Sequence, residues 1–323
     1  MEKLKVVLTA VVILMVAGGV YAQNYPTQPV RMIVPFAPGG ASDIVARIVS
    51  PALGKELGQQ IVVDNRGGAS GNLGVDVAAR ATPDGHTILL GEGGAMALNP
   101  SLFPNFPIKP LNAFIAVSQI VEIPGVMVVH PSVPVATLAE FIEYAKARPG
   151  KLNHGSAGIG SPYRLATEYF ANKAGLKITH VPYAGGAGPA MIGILSGEVQ
   201  MFLVNTASCL QNIKDGKLKP LMVVATKRLE ALPDIPTMIE AGFPEMAAAW
   251  QGVYVPVGTP HSVVTTLFNA LKRTMADPGV VKRLRDMSAS VTVSNTPEDF
   301  TEFTKKKTEF YARIIKEIGL VTQ

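Results

Sequence analysis

Short runs of branched apolar residues alternate with helical patterns along almost the whole chain, and this alternation limits the fold more than any other feature. Strands are expected at Val30–Val34, Ile61–Val63, Thr87–Leu90, Ala116–Val121, Val126–Val129, Leu152–His154, Ile178–Val181, Val199–Leu203 and Leu221–Ala225. Between them, Ser42–Leu57, Asn72–Arg80, Pro162–Ala174 and Pro189–Leu195 read as helices. Another helix begins at Thr137, where Glu140 three residues on completes a capping box. Ser161-Pro162, Thr259-Pro260 and Thr296-Pro297 each set proline after a capping hydroxyl, which marks the start of the Pro162–Ala174 helix and of two more. Such alternation means an α/β architecture with largely parallel sheets. The full count of about eleven strands is high for one sheet, so two lobes are expected. A chain that crosses near Val121–Val126 and returns near Ala247–Trp250 makes the first lobe discontinuous. The expected division is 23–123 with 249–323 for lobe 1, and 124–248 for lobe 2.

The first residues carry a different signal. Lys3 and Lys5 precede an apolar run from Val6 to Val20, and Tyr21-Ala22 follows before Gln23. A charged start, apolar middle and small-residue exit form a secretory signal, here residues 1–22, cleaved after Ala22. The expected location is therefore the periplasm. A membrane anchor is the alternative, but the run is short for a span and is weakened by Gly18 and Gly19.

The 323 residues are 48% apolar and 16% charged, which suits a globular core. The net charge of +5 is scattered; its densest cluster, Lys305 to Lys307, fits a solvated helix face. No basic run has interleaved aromatics, so nucleic acid is not an expected partner. Cys209 is the only cysteine and the five histidines lack H-x-x-x-H spacing, so neither a disulfide nor a metal or cofactor is expected.

Five glycine-rich loops lie at strand ends. The sharpest is Pro35-Phe36-Ala37-Pro38-Gly39-Gly40-Ala41-Ser42-Asp43, between a strand and a helix. Glycine lets backbone amides approach a ligand, and the helix start adds free N–H groups and the positive end of its dipole. The same segment also reads as a tight turn capped by Ser42 or Asp43. His154-Gly155-Ser156-Ala157-Gly158-Ile159-Gly160-Ser161-Pro162 repeats the design, with Arg164 near the third helical position. A cation there opposes the helix dipole unless an anion binds nearby, so Arg164 either points to solvent or meets a ligand. Tyr183-Ala184-Gly185-Gly186, Arg66-Gly67-Gly68-Ala69-Ser70-Gly71 and Gly91-Glu92-Gly93-Gly94 complete the set. Loops of this kind fit a cleft lined by backbone donors.

Catalytic templates fail. No G-x-S-x-G elbow, dinucleotide fingerprint or P-loop lysine motif is present. Asp43, Asp64 and Glu92 have no evident partner as acid or base. Ser42, Ser70 and Ser156 are the nucleophiles a hydrolase would use, and the sequence pairs none of them with a base.

In this order the loops resemble the Bug family, the extracytoplasmic receptors of tripartite tricarboxylate transporters. The resemblance runs from Tyr25-Pro26 to the C-terminus. It rests on Pro35-Phe36-Ala37-Pro38-Gly39-Gly40, Asp64-Asn65-Arg66, Pro83-Asp84-Gly85, Asn99-Pro100-Ser101-Leu102, Val129-His130-Pro131, Pro149-Gly150-Lys151-Leu152-Asn153, His180-Val181-Pro182-Tyr183, Leu232-Pro233-Asp234-Ile235-Pro236-Thr237 and Glu240-Ala241-Gly242. It implies a two-lobed Venus-flytrap fold, no enzymatic activity, and a ligand carboxylate gripped between the Pro38-Gly39-Gly40 loop and the Ser156–Ser161 loop. The implied ligand is a small organic acid, amino-acid, di- or tricarboxylate or aromatic. The implied partners are the membrane subunits of the transporter, and a monomer is expected. Candidate ligand-binding residues are Phe36, Pro38, Gly39, Gly40, Ala41, Ser42, Asp43, Arg66, Ser70, Glu92, Gly93 and Gly94 on one side. On the other are Ser156, Ala157, Gly160, Ser161, Arg164, Tyr183 and Asn205. Three positions depart from the family pattern: Arg164 stands where histidine is common, Val204 where aspartate is frequent, and Ala184 where a base is usual. The lost acid at 204 argues against an ammonium-bearing ligand, and Arg164 argues for a second acidic group if it faces the cleft. A receptor feeding a membrane signalling system shares the same binding chemistry, and a periplasmic hydrolase is the remaining alternative.

Overall fold

The computed structural model describes residues 25–183, 186–243 and 248–320; the expected signal segment, residues 1–22, lies outside them. Among the described residues, two sheets form. The first holds β1 (Val30–Val34), β2 (Ile61–Asn65), β3 (Thr87–Glu92), β4 (Phe114–Ile123), β10 (Ala249–Pro256) and β11 (Ser290–Val291), in the order β11-β4-β10-β3-β1-β2. The second holds β5 (Gly125–Val129), β6 (Leu152–Ser156), β7 (Ile178–Pro182), β8 (Met201–Asn205) and β9 (Lys219–Val224), in the order β7-β6-β8-β5-β9. The helices are α1 (Ala41–Leu57), α2 (Asn72–Ala79), α3 (Leu138–Lys146), α4 (Pro162–Lys173), α5 (Ala187–Leu195), α6 (Thr206–Lys214), α7 (His261–Thr274), α8 (Pro278–Asp286) and α9 (Pro297–Glu317).

Both sheets are mixed, where the alternation predicts largely parallel ones. β1 runs parallel to β2 and β3, and β6 parallel to β7 and β8, because helices bridge these strands as crossovers. β10 is antiparallel to β3 and β4, and β5 to β8 and β9. These are the strands by which the chain passes between lobes. Pro124 alone separates β4 from β5, so the strand leaves one sheet and enters the other without room for a crossover.

Alternate residues of each strand feed different layers. Val30, Met32 and Val34 pack with Val45, Val49 and Leu53 of α1 and Leu267 and Leu271 of α7. Ile33 and Leu89 point to the opposite face, into a core that continues through Trp250 and Phe300 to Met127, Phe141 and Phe170 of the second lobe. Trp250 has no exposed surface and meets Phe300 and Phe303 edge-on, with centroids 5.7 and 5.2 Å away. Burying one such large side chain contributes about 1.5–3 kcal/mol.

Helix starts divide informatively. The Thr137 box forms: its hydroxyl accepts from Glu140 N–H at 3.2 Å while the Glu140 carboxylate accepts from Thr137 N–H at 3.3 Å. Thr296 caps α9 through Asp299 N–H. Thr259 does not cap; its hydroxyl donates to Pro256 O at 2.7 Å, and α7 begins only after Pro260. Ser161 sits at the cap position of α4 but makes no capping bond, which bears on the site below. Among the described residues, no helix is long and apolar enough to cross a membrane.

Candidate functional site

The parallel strands of both sheets end on the same side as the loops that connect them to their helices. From β1 the chain runs through Pro35–Gly40 into α1. Gly39 has φ +83, a conformation natural to glycine, and its N–H donates to Asp43 Oδ2 at 2.9 Å. Asp43 is buried and paired with Arg47 at 3.0 Å. Burial alone would raise its carboxyl, but Arg47, the Gly39 N–H and Asn65 hold it below the ordinary range. Asp43 therefore shapes the loop from behind. Phe36 is half-buried; Pro38, Gly39 and Gly40 are exposed, and Ala41 is half-exposed at the helix start. The Phe36 carbonyl is tied to Asn65 Nδ2 at 3.1 Å.

Three further segments of lobe 1 adjoin this loop. Arg66 is turned outward onto Asp64 at 3.0 Å and is exposed. Ser70 adopts φ 56, and Asn99 locks its carbonyl at 2.9 Å while also donating to Asn72 Oδ1 at 2.8 Å. At the end of β3, Glu92 accepts from Ser42 Oγ at 3.1 Å, and Ser42 Oγ in turn accepts from Gln251 Nε2 at 3.0 Å. Burial raises the Glu92 carboxyl to about 7, against a smaller opposing effect of the Ser42 hydrogen bond. Gly93 and Gly94 are buried and open a π-helical turn over Gly94–Leu98. A methyl at Gly93 would lie 2.8 Å from Trp250 Nε1.

Lobe 2 supplies the opposite wall. Ser156 ends β6 and is buried; its hydroxyl lies 2.7 Å from His180 Nε2 and accepts from Gly158 N–H at 3.2 Å. Ala157 is half-buried, Gly160 is buried, and Ser161 leads into α4. Arg164 is only 11% exposed along its side chain, so it does not point to solvent. Its Nη1 donates to Ile159 O at 3.2 Å and its Nε stands 3.8 Å from Glu168 Oε1. Both partners belong to its own lobe. His154 stacks on His180 with centroids 4.9 Å apart and reaches Glu168 at 3.4 Å. Tyr183 lies over α5, where a methyl at Gly193 would be 2.1 Å from its hydroxyl. Asn205 caps α6 through Ser208 N–H at 3.0 Å. Val204 is a buried core residue, and Ala184 and Gly185 lie outside the described residues.

The two walls touch. A Cβ on Gly160 would stand 2.5 Å from Asn99 Oδ1 and 2.7 Å from Ser70 Cβ; one on Gly94 would stand 2.7 Å from Gly160 O and 3.2 Å from Pro162 Cδ. Behind this contact, Tyr163 donates to Ile123 O at 2.8 Å and Thr206 donates to Pro124 O through both N–H and hydroxyl at 3.0 Å. Both anchor the β4–β5 crossing to lobe 2.

Sequence reasoning pairs Ser156 with no base, yet the fold brings His180 to it. The pair is nonetheless unsuited to nucleophilic attack. Ser156 is 2% exposed, a lone pair of its oxygen is taken by Gly158, and burial with His154 and Arg164 nearby depresses His180 to about 4. Gln251, Asn99, Tyr163 and His180 were the participants that sequence reading missed. Gln251 has a cue in neighbouring the single tryptophan of the segment expected to cross between lobes, and Asn99 and His180 lie within motifs that carry the family resemblance, which assigns them no role.

Known proteins share this fold. The chain is 34% identical to Protein BugT of Bordetella pertussis over 306 residues, 94% of this chain and 93% of that one. A solved periplasmic binding protein, BugD, is 34% identical with a TM-score of 0.84, covering 93% of this chain and 100% of its own. An R. palustris protein solved with adipate is 31% identical with a TM-score of 0.86, covering 93% and 100%. The model of the tripartite tricarboxylate transporter family receptor matches residues 45–320, and the chain belongs to that family of receptors rather than to any class of enzyme.

Proposed function

We propose that this receptor is exported with removal of residues 1–22 and captures a small organic carboxylate between its lobes for a tripartite tricarboxylate transporter. Lobe 1 comprises 23–123 with 249–323, and lobe 2 comprises 124–248. A di- or tricarboxylate or an aromatic acid fits the site best, in keeping with the adipate held by the R. palustris neighbour.

The capping pattern supports this reading most directly. The helices that follow the glycine loops, α1, α4 and α5, begin at Gly40, Ser161 and Gly186 without a side-chain cap. Thr137, Asn205, Asp277 and Thr296 do cap α3, α6, α8 and α9. Other uncapped starts are at Gly71 of α2, inside the same loop set, at Pro260 of α7, and at the two four-residue helices Asn99–Leu102 and Pro110–Ala113. Uncapped helix starts leave amide donors and the positive dipole end for an anion. A carboxylate between α1 and α4 would accept from both lobes at once, which is what couples binding to closure.

A thermal-shift screen of organic acids on the exported protein tests the proposal. A ligand at 100 times its dissociation constant adds about 2.7 kcal/mol of stability. A complete panel of mono-, di- and tricarboxylates without a shift would remove the carboxylate reading. Mass spectrometry of periplasmic material should find Gln23 at the N-terminus.

A further inference from the structure

Glu92, at the end of β3, is half-buried and is approached from the opposite lobe. Its Oε2 accepts the Ser42 hydroxyl at 3.1 Å. Its Oε1 lies 3.3 Å from where a Cβ on Gly94 would stand, and that same position is 2.7 Å from Gly160 O and 3.2 Å from Pro162 Cδ, both of lobe 2. Among the described residues it has no salt-bridge partner. The groups facing it are Ser42 from α1, Gln251 from β10, Tyr163 from α4 and Tyr311 from α9. The titratable ones are the two phenols, both raised by burial and further by Glu92. None of these groups is a cation. Gln251 Oε1 adds a buried acceptor without a partner.

Ser42 sits in the first turn of α1, the helix whose uncapped start is the proposed anion anchor, and it touches Glu92 directly. A bound carboxylate and an ionised Glu92 would thus share one closed, water-poor space with no positive side chain between them. Two carboxylates in one site cannot both ionise cheaply; one takes a proton. The proton then turns a repulsion into a donor, since a neutral carboxyl can hydrogen-bond a carboxylate.

We propose that the receptor takes up its carboxylate ligand together with one proton, which is carried on Glu92. This rests on the carboxylate reading above. When the lobes part, the Gly160–Pro162 segment withdraws and Glu92 regains water and its ordinary acidity; when they close on an anion, it is neutralised. The burial effect already visible, a carboxyl raised to about 7 without ligand, has the direction this requires.

Calorimetric titration of the whole exported protein with adipate tests it, in buffers of differing ionisation enthalpy between pH 6.5 and 9. Adipate is fully ionised in that window, so its own titration does not intrude. Wild type should absorb between about 0.5 and 1 proton per adipate near neutral pH, with affinity rising toward the limit of about tenfold per pH unit as pH falls. Glu92→Gln, which keeps the side chain's size and its acceptor for Ser42, should bind without proton uptake and with affinity independent of pH. Buffer-independent heats in wild type would overturn the proposal, and that readout needs no variant. Proton uptake retained by Glu92→Gln would overturn the assignment to Glu92. Failure of adipate and every other carboxylate to bind at any pH would overturn the carboxylate reading as well, whereas tight, pH-independent binding would overturn the proton coupling alone.

Discussion

Gly160→Ala should act on lobe closure while sparing the fold of either lobe. The added Cβ would stand 2.5 Å from Asn99 Oδ1, 2.7 Å from Ser70 Cβ and 3.1 Å from Ser70 Oγ, all across the cleft in lobe 1. Asn99 cannot swing aside cheaply, since its amide holds Ser70 O and Asn72 Oδ1 at 2.9 and 2.8 Å. Ser70 is fixed in a left-handed backbone conformation. Closure must therefore stop several tenths of an ångström short, and overpacking of this kind costs about 1–3 kcal/mol. Gly160 itself is outside the left-handed region, so alanine fits its backbone once the lobes are apart. At about 1.4 kcal/mol per tenfold, affinity should fall roughly 5- to 150-fold. The unfolding free energy without ligand should drop by less than about 1 kcal/mol. Calorimetry with adipate gives the first number, denaturation of the ligand-free protein the second, and small-angle scattering should show less compaction at saturation. Gly188→Ala is the control, since a Cβ there meets nothing within 4 Å. Unchanged affinity in Gly160→Ala, or a loss of ligand-free stability as large as the loss of binding, would refute the reasoning.

Three further substitutions probe the walls. Gly40→Val should leave the melting temperature nearly unchanged, because its Cβ meets only Ala37 O at 3.6 Å, but should abolish binding by covering the amides of α1; unchanged affinity removes this loop from the site. Arg164→Ala should weaken a diacid and its monoacid analogue alike, by about 1–3 kcal/mol, because the guanidinium holds Ile159 O and faces Glu168 of its own lobe. A selective loss of the diacid would instead assign Arg164 to the second carboxylate. With the lobes closed as in this structure, Glu92→Gln should stabilise the ligand-free protein in a pH-dependent way, read from paired thermal melts. Where both native and unfolded carboxyls are protonated, below about pH 4, the gain is absent. It should grow as pH rises from 4.5 to about 7 and level off above, where the native carboxyl is ionised despite its burial, at about 1–3 kcal/mol. A gain that shrinks with rising pH would contradict the burial argument.

Much of this architecture is written in local sequence. β1 matches its expected bounds, and α2, α4 and α5 fall within one or two residues of theirs, because periodicity and turn residues act locally. The glycine loops are legible for the same reason: a glycine pair between a strand and a helix needs no tertiary information. The antiparallel course of β4, β5 and β10 was not legible, since strand direction depends on which lobe the chain enters next. Nor was the Ser156–His180 contact, made across 24 residues through the pairing of β6 and β7, in which Ser156 faces Pro182 and His154 faces His180. Capping was half legible. Thr296 caps and Ser161 does not, although both precede proline. The difference lies in what each helix start faces, and a four-residue pattern does not contain it.

The site's electrostatics follow from how its charges are arranged. The cations closest to the two loops are each answered from their own lobe: Arg47 by Asp43, and Arg164 by Glu168. Arg47 is fully engaged, whereas Arg164 keeps a buried Nε without a hydrogen bond. The walls that meet are Ser70, Gly94 and Asn99 against Gly160 and Pro162, flanked by the backbone of the two glycine loops. Backbone dipoles bring directed donors and no net charge. They can solvate one carboxylate in the closed cleft but cannot neutralise it. Glu92, which has no salt-bridge partner among the described residues, has the sign of the ligand and becomes tolerable there when protonated. On the proposed reading, opening of the lobes would release the anion, because it both exposes the amides to water and returns Glu92 to its ionised form. The same change that loosens the grip adds a repulsive charge beneath the departing ligand.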